Sequence, residues 1–207
     1  MSSKPATSRL PKDLPPLPED ERKQAETNVI MGAYPHLHEI IEGTIYLGNE
    51  RVAGHVARFE EDDEKLVNGL KKTLLDRNIG GIVSCVPRSN KFEKDFKYCN
   101  VPLGDNPKEK SKLSKIFSDS FEFITKIIKE KKAVYIHCNM GMSRSATVTI
   151  AYLMKKNAWS FEKAYMYTRK IRKIITPNEG FCEALLSLEK QLVQEGNELE
   201  FLSADGD

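Results

Sequence analysis

Short apolar runs alternate with amphipathic helical patterns along the middle of the chain. Runs over residues 44–47, 82–86 and 133–138 predict buried strands, and residues 96–103 predict another. Between them, residues 113–128 carry apolar side chains three and four positions apart, which predicts a long amphipathic helix. Strands that alternate with helices favour an α/β fold with a mainly parallel central sheet of about five strands, flanked by helices.

Helices are predicted at four further places. Residues 62–77 and 144–156 form two of them, and the second is apolar on most faces, so we expect it to be central. The third should run from an N-cap at Ser160 to Ile175 and be stopped by Pro177. The last should start near Asn178.

The two ends of the chain differ in composition from the middle. The first 40 residues contain Pro5, Pro11, Pro15, Pro16, Pro18 and Pro35, mixed with charges and almost without apolar periodicity. We therefore predict a disordered or extended arm over residues 1–36, a folded domain over 37–197 and a short acidic tail over 198–207. Within the arm, residues 12–18 resemble a polyproline ligand for an SH3-like groove, although a solvated tail is the simpler interpretation.

Bulk composition excludes several classes of function. The net charge of +2 leaves no electrostatic case for binding nucleic acid or an anionic membrane. No apolar run approaches the roughly 18 residues of a membrane span, and the N-terminus lacks the apolar core of a secretory signal. The four cysteines lack the paired spacing of metal ligands. We expect a chain of the cytoplasm or nucleus, with free thiols, no cofactor and no metal.

A cysteine and an arginine flank the turn where the strand over 133–138 passes into the helix over 144–156. Cys138 ends a strand, and ligand sites of α/β sheets lie beyond the carboxyl ends of the strands. A helix N-terminus presents free amides and partial positive charge, which suit a phosphate, and Arg144 adds a fork of donors for two phosphate oxygens. The predicted phosphate site consists of Asn139, Met140, Gly141, Met142, Ser143 and Arg144.

The same surroundings suit Cys138 as a nucleophile. Cysteines at helix N-termini beside fixed positive charge lose their proton more readily than a free thiol, so we expect Cys138 to be a thiolate at neutral pH. Ser145 follows Arg144 directly, in a position to hydrogen-bond the sulfur and stabilise the thiolate when it leaves. This chemistry needs no metal.

The residues around Cys138 form the longer string HCNMGMSRSAT over 137–147. This string resembles the signature of the dual-specificity branch of the cysteine-dependent protein tyrosine phosphatases. Residues 172–181 are similar to the family's closing motif and residues 45–48 to its opening strand. The resemblance implies a protein tyrosine phosphatase-like fold. It also implies hydrolysis of phosphotyrosine and phosphoserine or phosphothreonine in proteins, through a phosphocysteine intermediate.

A leaving alkoxide or phenoxide needs a proton, so a carboxylic acid should lie over the site on another loop. Asp105 is our candidate, because it follows the strand over 96–103 and so lies at the same edge of the sheet as Cys138. In the family that the chain resembles, the acid lies at the corresponding place. Asp119 falls inside a predicted helix and Asp95 begins a strand, which makes both weaker candidates.

Three alternatives differ in what happens to the bound phosphate. A pseudophosphatase would only bind it, and a rhodanese-like enzyme can also carry a cysteine and an arginine at this spacing. The same chemistry could also act on a phosphoinositide or an RNA 5′-triphosphate. The loop over 139–143 contains no lysine, which favours phosphoprotein, while a basic loop keeps the lipid as an alternative. That loop carries Arg88, Lys91, Lys94 and Lys97.

Cys85 is a candidate redox partner of Cys138. It lies near the end of the strand over 82–86, and the resembling fold implies that this strand neighbours the one ending at Cys138. Neighbouring strands are about 4.8 Å apart, which is compatible with the Cα separation of a disulfide. Simple packing of a small buried thiol is the other interpretation.

Overall fold

The computed structural model describes residues 17–30, 35–56 and 63–201. In these ranges the strands are β1 (Leu37–Ile41), β2 (Ile45–Asn49), β3 (Ile79–Ser84), β4 (Lys97–Asn100) and β5 (Ala133–Cys138). The α-helices are α1 (Glu19–Ile30), α2 (Glu64–Leu75), α3 (Leu113–Lys129), α4 (Arg144–Asn157), α5 (Phe161–Ile171) and α6 (Glu179–Gln194), and a 3-10 helix spans Pro107–Lys112. None of the helices in the described ranges combines the length and apolarity needed to cross a bilayer.

The strand β5 lies at the centre of the sheet. The strand order is β1-β2-β5-β3-β4; β1 and β2 are antiparallel, and the other neighbours are parallel. All residues of β5 are buried, as expected for a parallel strand covered on both faces. The prediction of a mainly parallel sheet of five strands flanked by helices is therefore confirmed. Cys138 ends the central strand, in the middle of the carboxyl edge.

Helices cover both faces of the sheet. On one face, α4 packs among α3, α5 and α6, and its residues 145–154 are all buried. On the other face, Leu74 of α2 packs in a cluster with Ile82 and Tyr135. The apolar pattern of α4 on most faces thus reflects a helix enclosed by the sheet and three other helices.

Element boundaries differ from the predictions where tertiary contacts replace regular structure. The strand predicted over 96–103 is regular only in β4. Beyond it, Val101 and Leu103 stay buried and extended, as their amides donate to the carbonyls of Ser84 at 2.9 Å and Cys85 at 3.4 Å. The helix α5 ends at Ile171 instead of continuing to residue 175, because the backbone of Arg172 leaves the helical conformation. The edge strand β1 was not predicted.

The helix α1 corrects the prediction for the N-terminal segment. A disordered or extended arm over 1–36 is wrong for residues 19–30, which are helical. Among the side chains of this helix that the structure describes, Ala25 and Val29 are the buried ones, in a cluster with Met142 and Ile174. Two apolar residues four positions apart make too narrow a stripe to register as amphipathic periodicity. Most of the SH3-type sequence, and the chain beyond residue 201, lie outside the described residues, so those predictions and the domain boundaries stay predictions.

We predict that Val29→Asp lowers Tm by about 3 °C or more. Burial of a valine side chain contributes about 1.5–3 kcal/mol, and each kcal/mol shifts Tm by about 2–4 °C in a chain of this size. Thr27→Asp is the matched control, because Thr27 is exposed on the same helix. Thermal unfolding of both full chains gives the comparison, and equal Tm values would show that α1 does not pack on the domain.

Candidate active site

The phosphate loop, residues 139–143, joins the central strand β5 to the buried helix α4. No described side chain caps the first turn of α4, and that turn carries no acidic residue. A serine before a helix usually accepts a hydrogen bond from a first-turn amide. Here the hydroxyl of Ser143 donates instead to Asp105 Oδ1 at 2.7 Å. The amides and the partial positive charge at this helix end therefore remain available to an anion.

Cys138 Sγ lies inside the phosphate loop and accepts two hydrogen bonds. The amide of Gly141 donates to the sulfur at 3.2 Å, and the hydroxyl of Ser145 donates at 3.1 Å. Cys138 is 2% exposed and Ser145 is fully buried. Hydrogen bonds to the anionic form of a group stabilise that form. The structure thus brings together the predicted nucleophile and the predicted thiolate donor.

The guanidinium of Arg144 lies between the phosphate loop and the loop that follows β4. Its Nη1 donates to the carbonyl of Leu103 at 3.3 Å, and its Nη2 donates to Asn139 Oδ1 at 3.2 Å. Its Nε lies 3.8 Å from Asp105 Oδ2 and has no hydrogen-bond partner among the described residues. Buried donors in native proteins are nearly always paired. The free Nε–H therefore marks the guanidinium as a donor for a bound oxyanion.

Asp105 reaches the same place from the loop that follows β4. Its Oδ1 accepts the hydroxyl hydrogen of Ser143 at 2.7 Å and an amide hydrogen of Asn178 at 2.9 Å. Its Oδ2 is the oxygen on the side of Arg144. The next residue, Asn106, caps the 3-10 helix by accepting from the amide of Lys108 at 2.9 Å. Hydrogen bonds thus hold the carboxylate of Asp105, and the cap at Asn106 holds the backbone next to it.

Two residues that hold the site were not predicted as functional. Asn178 was identified only as a helix start and as part of the closing motif. Its Oδ1 caps α6 by accepting from the amide of Phe181 at 3.1 Å, while its Nδ2 donates to Asp105. Arg172, predicted only as part of the closing motif, is fully buried behind the phosphate loop. The closing motif was the signal in the sequence that included Arg172.

Cys85 lies beside Cys138 on the neighbouring strand, as predicted. Ser84, the last residue of β3, pairs with His137, and the amide of Cys85 donates to the carbonyl of His137 at 2.9 Å. The structure contains both cysteines as free thiols. Burial, followed by the charge of Cys138, raises the pKa of Cys85 well above its ordinary value.

The chain is similar in sequence to known phosphatases. Residues 64–191, more than half of the chain, match the model of the dual specificity phosphatase catalytic domain. The protein phosphatase Slingshot of Drosophila melanogaster is 36% identical over 162 residues, which cover 78% of this chain and 14% of Slingshot. Dual specificity protein phosphatase 1 of Homo sapiens is 36% identical over 104 residues, which cover 50% of this chain and 28% of that protein. The chain thus spans less than a third of either relative.

Solved structures share the fold. The human tyrosine phosphatase-like serine/threonine/tyrosine-interacting protein superposes with a TM-score of 0.64 at 26% identity, covering 76% of this chain and 97% of that chain. PTPMT1, solved in complex with PI(5)P, superposes with a TM-score of 0.60 at 21% identity, covering 78% of this chain and 99% of that chain. The protein tyrosine phosphatase-like fold implied by the sequence is therefore confirmed.

Proposed function

Since the chain belongs to the dual specificity phosphatase family, we propose that it hydrolyses phosphomonoesters on tyrosine and on serine or threonine of phosphoproteins. The observation that carries the proposal is the convergence of three groups from separate elements. Cys138 comes from the end of β5, Arg144 from the start of α4, and Asp105 from the loop after β4. Nucleophile, anion clamp and acid are the parts that this reaction requires.

In the first step, the thiolate of Cys138 attacks phosphorus in line with the leaving oxygen. The S–P bond forms while the P–O bond breaks, and Asp105 gives its proton to the departing oxygen. The two hydrogen bonds from Ser143 and Asn178 both go to Oδ1. The other oxygen, Oδ2, is therefore the one that carries the transferred proton.

In the second step, water hydrolyses the phosphocysteine. Asp105, now a carboxylate, takes a proton from the water while the oxygen of that water attacks phosphorus. The S–P bond breaks, and its electron pair returns to the sulfur of Cys138. The hydrogen bonds from Ser145 and from the amide of Gly141 stabilise that departing thiolate.

Charge on the transferring phosphoryl group spreads over three equatorial oxygens. The uncapped amides at the start of α4 are available to this charge, and Arg144 adds a planar fork. Arg144 also contacts the backbone of Leu103 and the side chain of Asn139. These contacts keep the guanidinium oriented before substrate binds, so little reorganisation is needed during reaction.

A phosphoprotein is favoured over a phosphoinositide as the substrate. The phosphate loop contains no lysine. In the basic loop, Arg88 lies 3.3 Å from the carboxylate of Glu50, and Lys97 lies 2.7 Å from that of Glu130. These two positive charges each have an acidic partner within the chain, which supports a phosphoprotein over an anionic lipid. A cytoplasmic or nuclear location and an SH3-like partner of the N-terminal segment stay predictions.

We also propose that Cys85 protects the nucleophile from oxidation. Peroxide converts a thiolate at Cys138 to a sulfenic acid, releasing hydroxide. The thiol of Cys85 then attacks that sulfur, which forms the disulfide and releases water. The pairing of Ser84 with His137 across adjacent strands supports the proposal, because neighbouring strands lie about 4.8 Å apart, which is compatible with the Cα separation of a disulfide. Because burial raises its pKa, Cys85 itself stays protonated and resists direct oxidation.

Cys138→Ser should abolish hydrolysis of an aryl phosphate and retain binding of inorganic phosphate, because the loop amides and Arg144 remain. Steady-state release of phosphate and calorimetric titration measure the two properties. Cys182→Ser is the matched control, a half-buried cysteine on α6. Turnover by Cys138→Ser would contradict the nucleophile assignment. A wild type that binds phosphate without turnover would identify a pseudophosphatase.

Asp105→Asn should slow hydrolysis of phosphopeptides by about 10²–10⁴-fold, the usual contribution of a general acid. The loss should shrink along a series of aryl phosphates with increasingly acidic leaving groups, since such groups depart without a proton. Asp119→Asn is the control, an acid on α3 that pairs with Lys115. An equal loss across the whole series would show that Asp105 is not the acid.

Cys85→Ser should prevent recovery of activity after brief treatment with peroxide and then a thiol reductant, whereas the wild type should recover. Cys99→Ser, a change at a half-buried cysteine on β4, should behave like the wild type. Mass spectrometry of the oxidised wild type should detect a peptide linked between residues 85 and 138. Full recovery of all three chains without that linked peptide would leave Cys85 as a packing residue.

A further inference from the structure

A fully buried arginine lies behind the phosphate loop. The side chain of Arg172, which follows α5, is inaccessible to solvent. Its Nε donates to the carbonyl of Gly141 at 2.7 Å, and its Nη2 donates to the carbonyl of Met140 at 2.9 Å. Its Nη1 contacts the carbonyl of Pro35 at 3.0 Å and Nδ1 of His38 at 2.8 Å. One guanidinium thus ties two loop carbonyls to the entry of β1.

These bonds decide which way the loop amides point. In a trans peptide, the C=O and N–H groups point in opposite directions, and the described residues contain no cis peptide. Holding the carbonyls of Met140 and Gly141 on Arg172 therefore turns the amides of Gly141 and Met142 away from it. The amide of Gly141 indeed donates to Cys138 Sγ at 3.2 Å.

The phosphate loop passes unusually close to its supports at Gly141. Gly141 has φ +69°, and a Cβ there would lie 2.5 Å from the carbonyl oxygen of Gly48 and 2.9 Å from Arg172 Nη2. Only glycine fits this conformation and this space. The loop is thus held between β2 on one side and the guanidinium on the other.

His38 supports the guanidinium as a neutral acceptor. Burial, followed by the charge of Arg172, lowers the pKa of His38 to about 4. At neutral pH its Nδ1 therefore accepts from Nη1 of Arg172. Burying a charged guanidinium removes it from water, so it needs hydrogen-bond partners inside the protein. The directional bonds to the loop are what this side chain supplies.

We propose that Arg172 is a positioning residue, which holds the carbonyls of Met140 and Gly141 outward so that the amide of Gly141 faces Cys138 Sγ and the amide of Met142 faces the phosphate. The proposal rests on the proposed function, in that the loop is the phosphate site. It assigns to Arg172 an effect on oxyanion affinity, without contact between its side chain and the substrate.

The test is calorimetric titration of the full chain with tungstate, an oxyanion whose binding needs no turnover. Arg172→Met should weaken tungstate binding by about tenfold or more, since the amide donors lose their orientation. Arg172→Lys keeps the charge but not the fork, so its affinity should fall between those of the wild type and Arg172→Met. Lys173→Met is the matched control, because Lys173 is the exposed next residue, and it should bind like the wild type.

A folded Arg172→Lys or Arg172→Met chain that binds tungstate as tightly as the wild type overturns the proposal. A lower Tm with unchanged affinity has the same meaning, because a purely structural arginine would give that result. If Arg172→Met does not fold, Arg172→Lys decides alone. A wild type that binds tungstate but hydrolyses no phosphomonoester contradicts the proposed function and leaves the role of Arg172 standing.

Discussion

The inward orientation of the backbone amides between β5 and α4 is the constraint on which the rest of this site depends. Buried amides without acceptors are costly, so a loop of this shape needs support from outside. Here the uncapped first turn of α4 supplies partial positive charge, and Arg172 holds two loop carbonyls from behind. The hydrogen bonds to Cys138 Sγ and the clamp of Arg144 both follow from that conformation.

The candidate acid is tied to the same framework through shared side chains. Ser143 belongs to the phosphate loop, Asn178 caps α6, and both donate to Asp105. The start of α6 also packs tightly on the 3-10 helix that follows Asp105, since a Cβ on Gly180 would lie 2.2 Å from the carbonyl oxygen of Pro107. The position of Asp105 relative to Cys138 is therefore set by the packing of α6 as well as by the sheet. Positioning of this kind is a large part of catalysis.

Local chemistry explains why much of the fold and site was predictable from the sequence. A helix start is signalled by a capping side chain within the first turn, and both the predicted cap at Ser160 and the helix start predicted near Asn178 are present. Ser160 accepts from the amide of Lys163 at 3.2 Å, and Asn178 accepts from that of Phe181 at 3.1 Å. The cysteine and the arginine of the phosphate site are also close in sequence, so their strand-to-helix context could be recognised directly.

The sequence by itself determined the strand–helix alternation, the phosphate loop and the group of residues from Cys138 to Ser145, because each depends on neighbours within a few positions. Only the tertiary structure decided that α1 packs on Met142, that Asn178 holds Asp105 and that Arg172 supports the loop. Those contacts join segments 31 or more positions apart. Hydrophobic periodicity and helix caps carry no information on which distant residue will meet which, since that is settled by how the helices pack on the sheet.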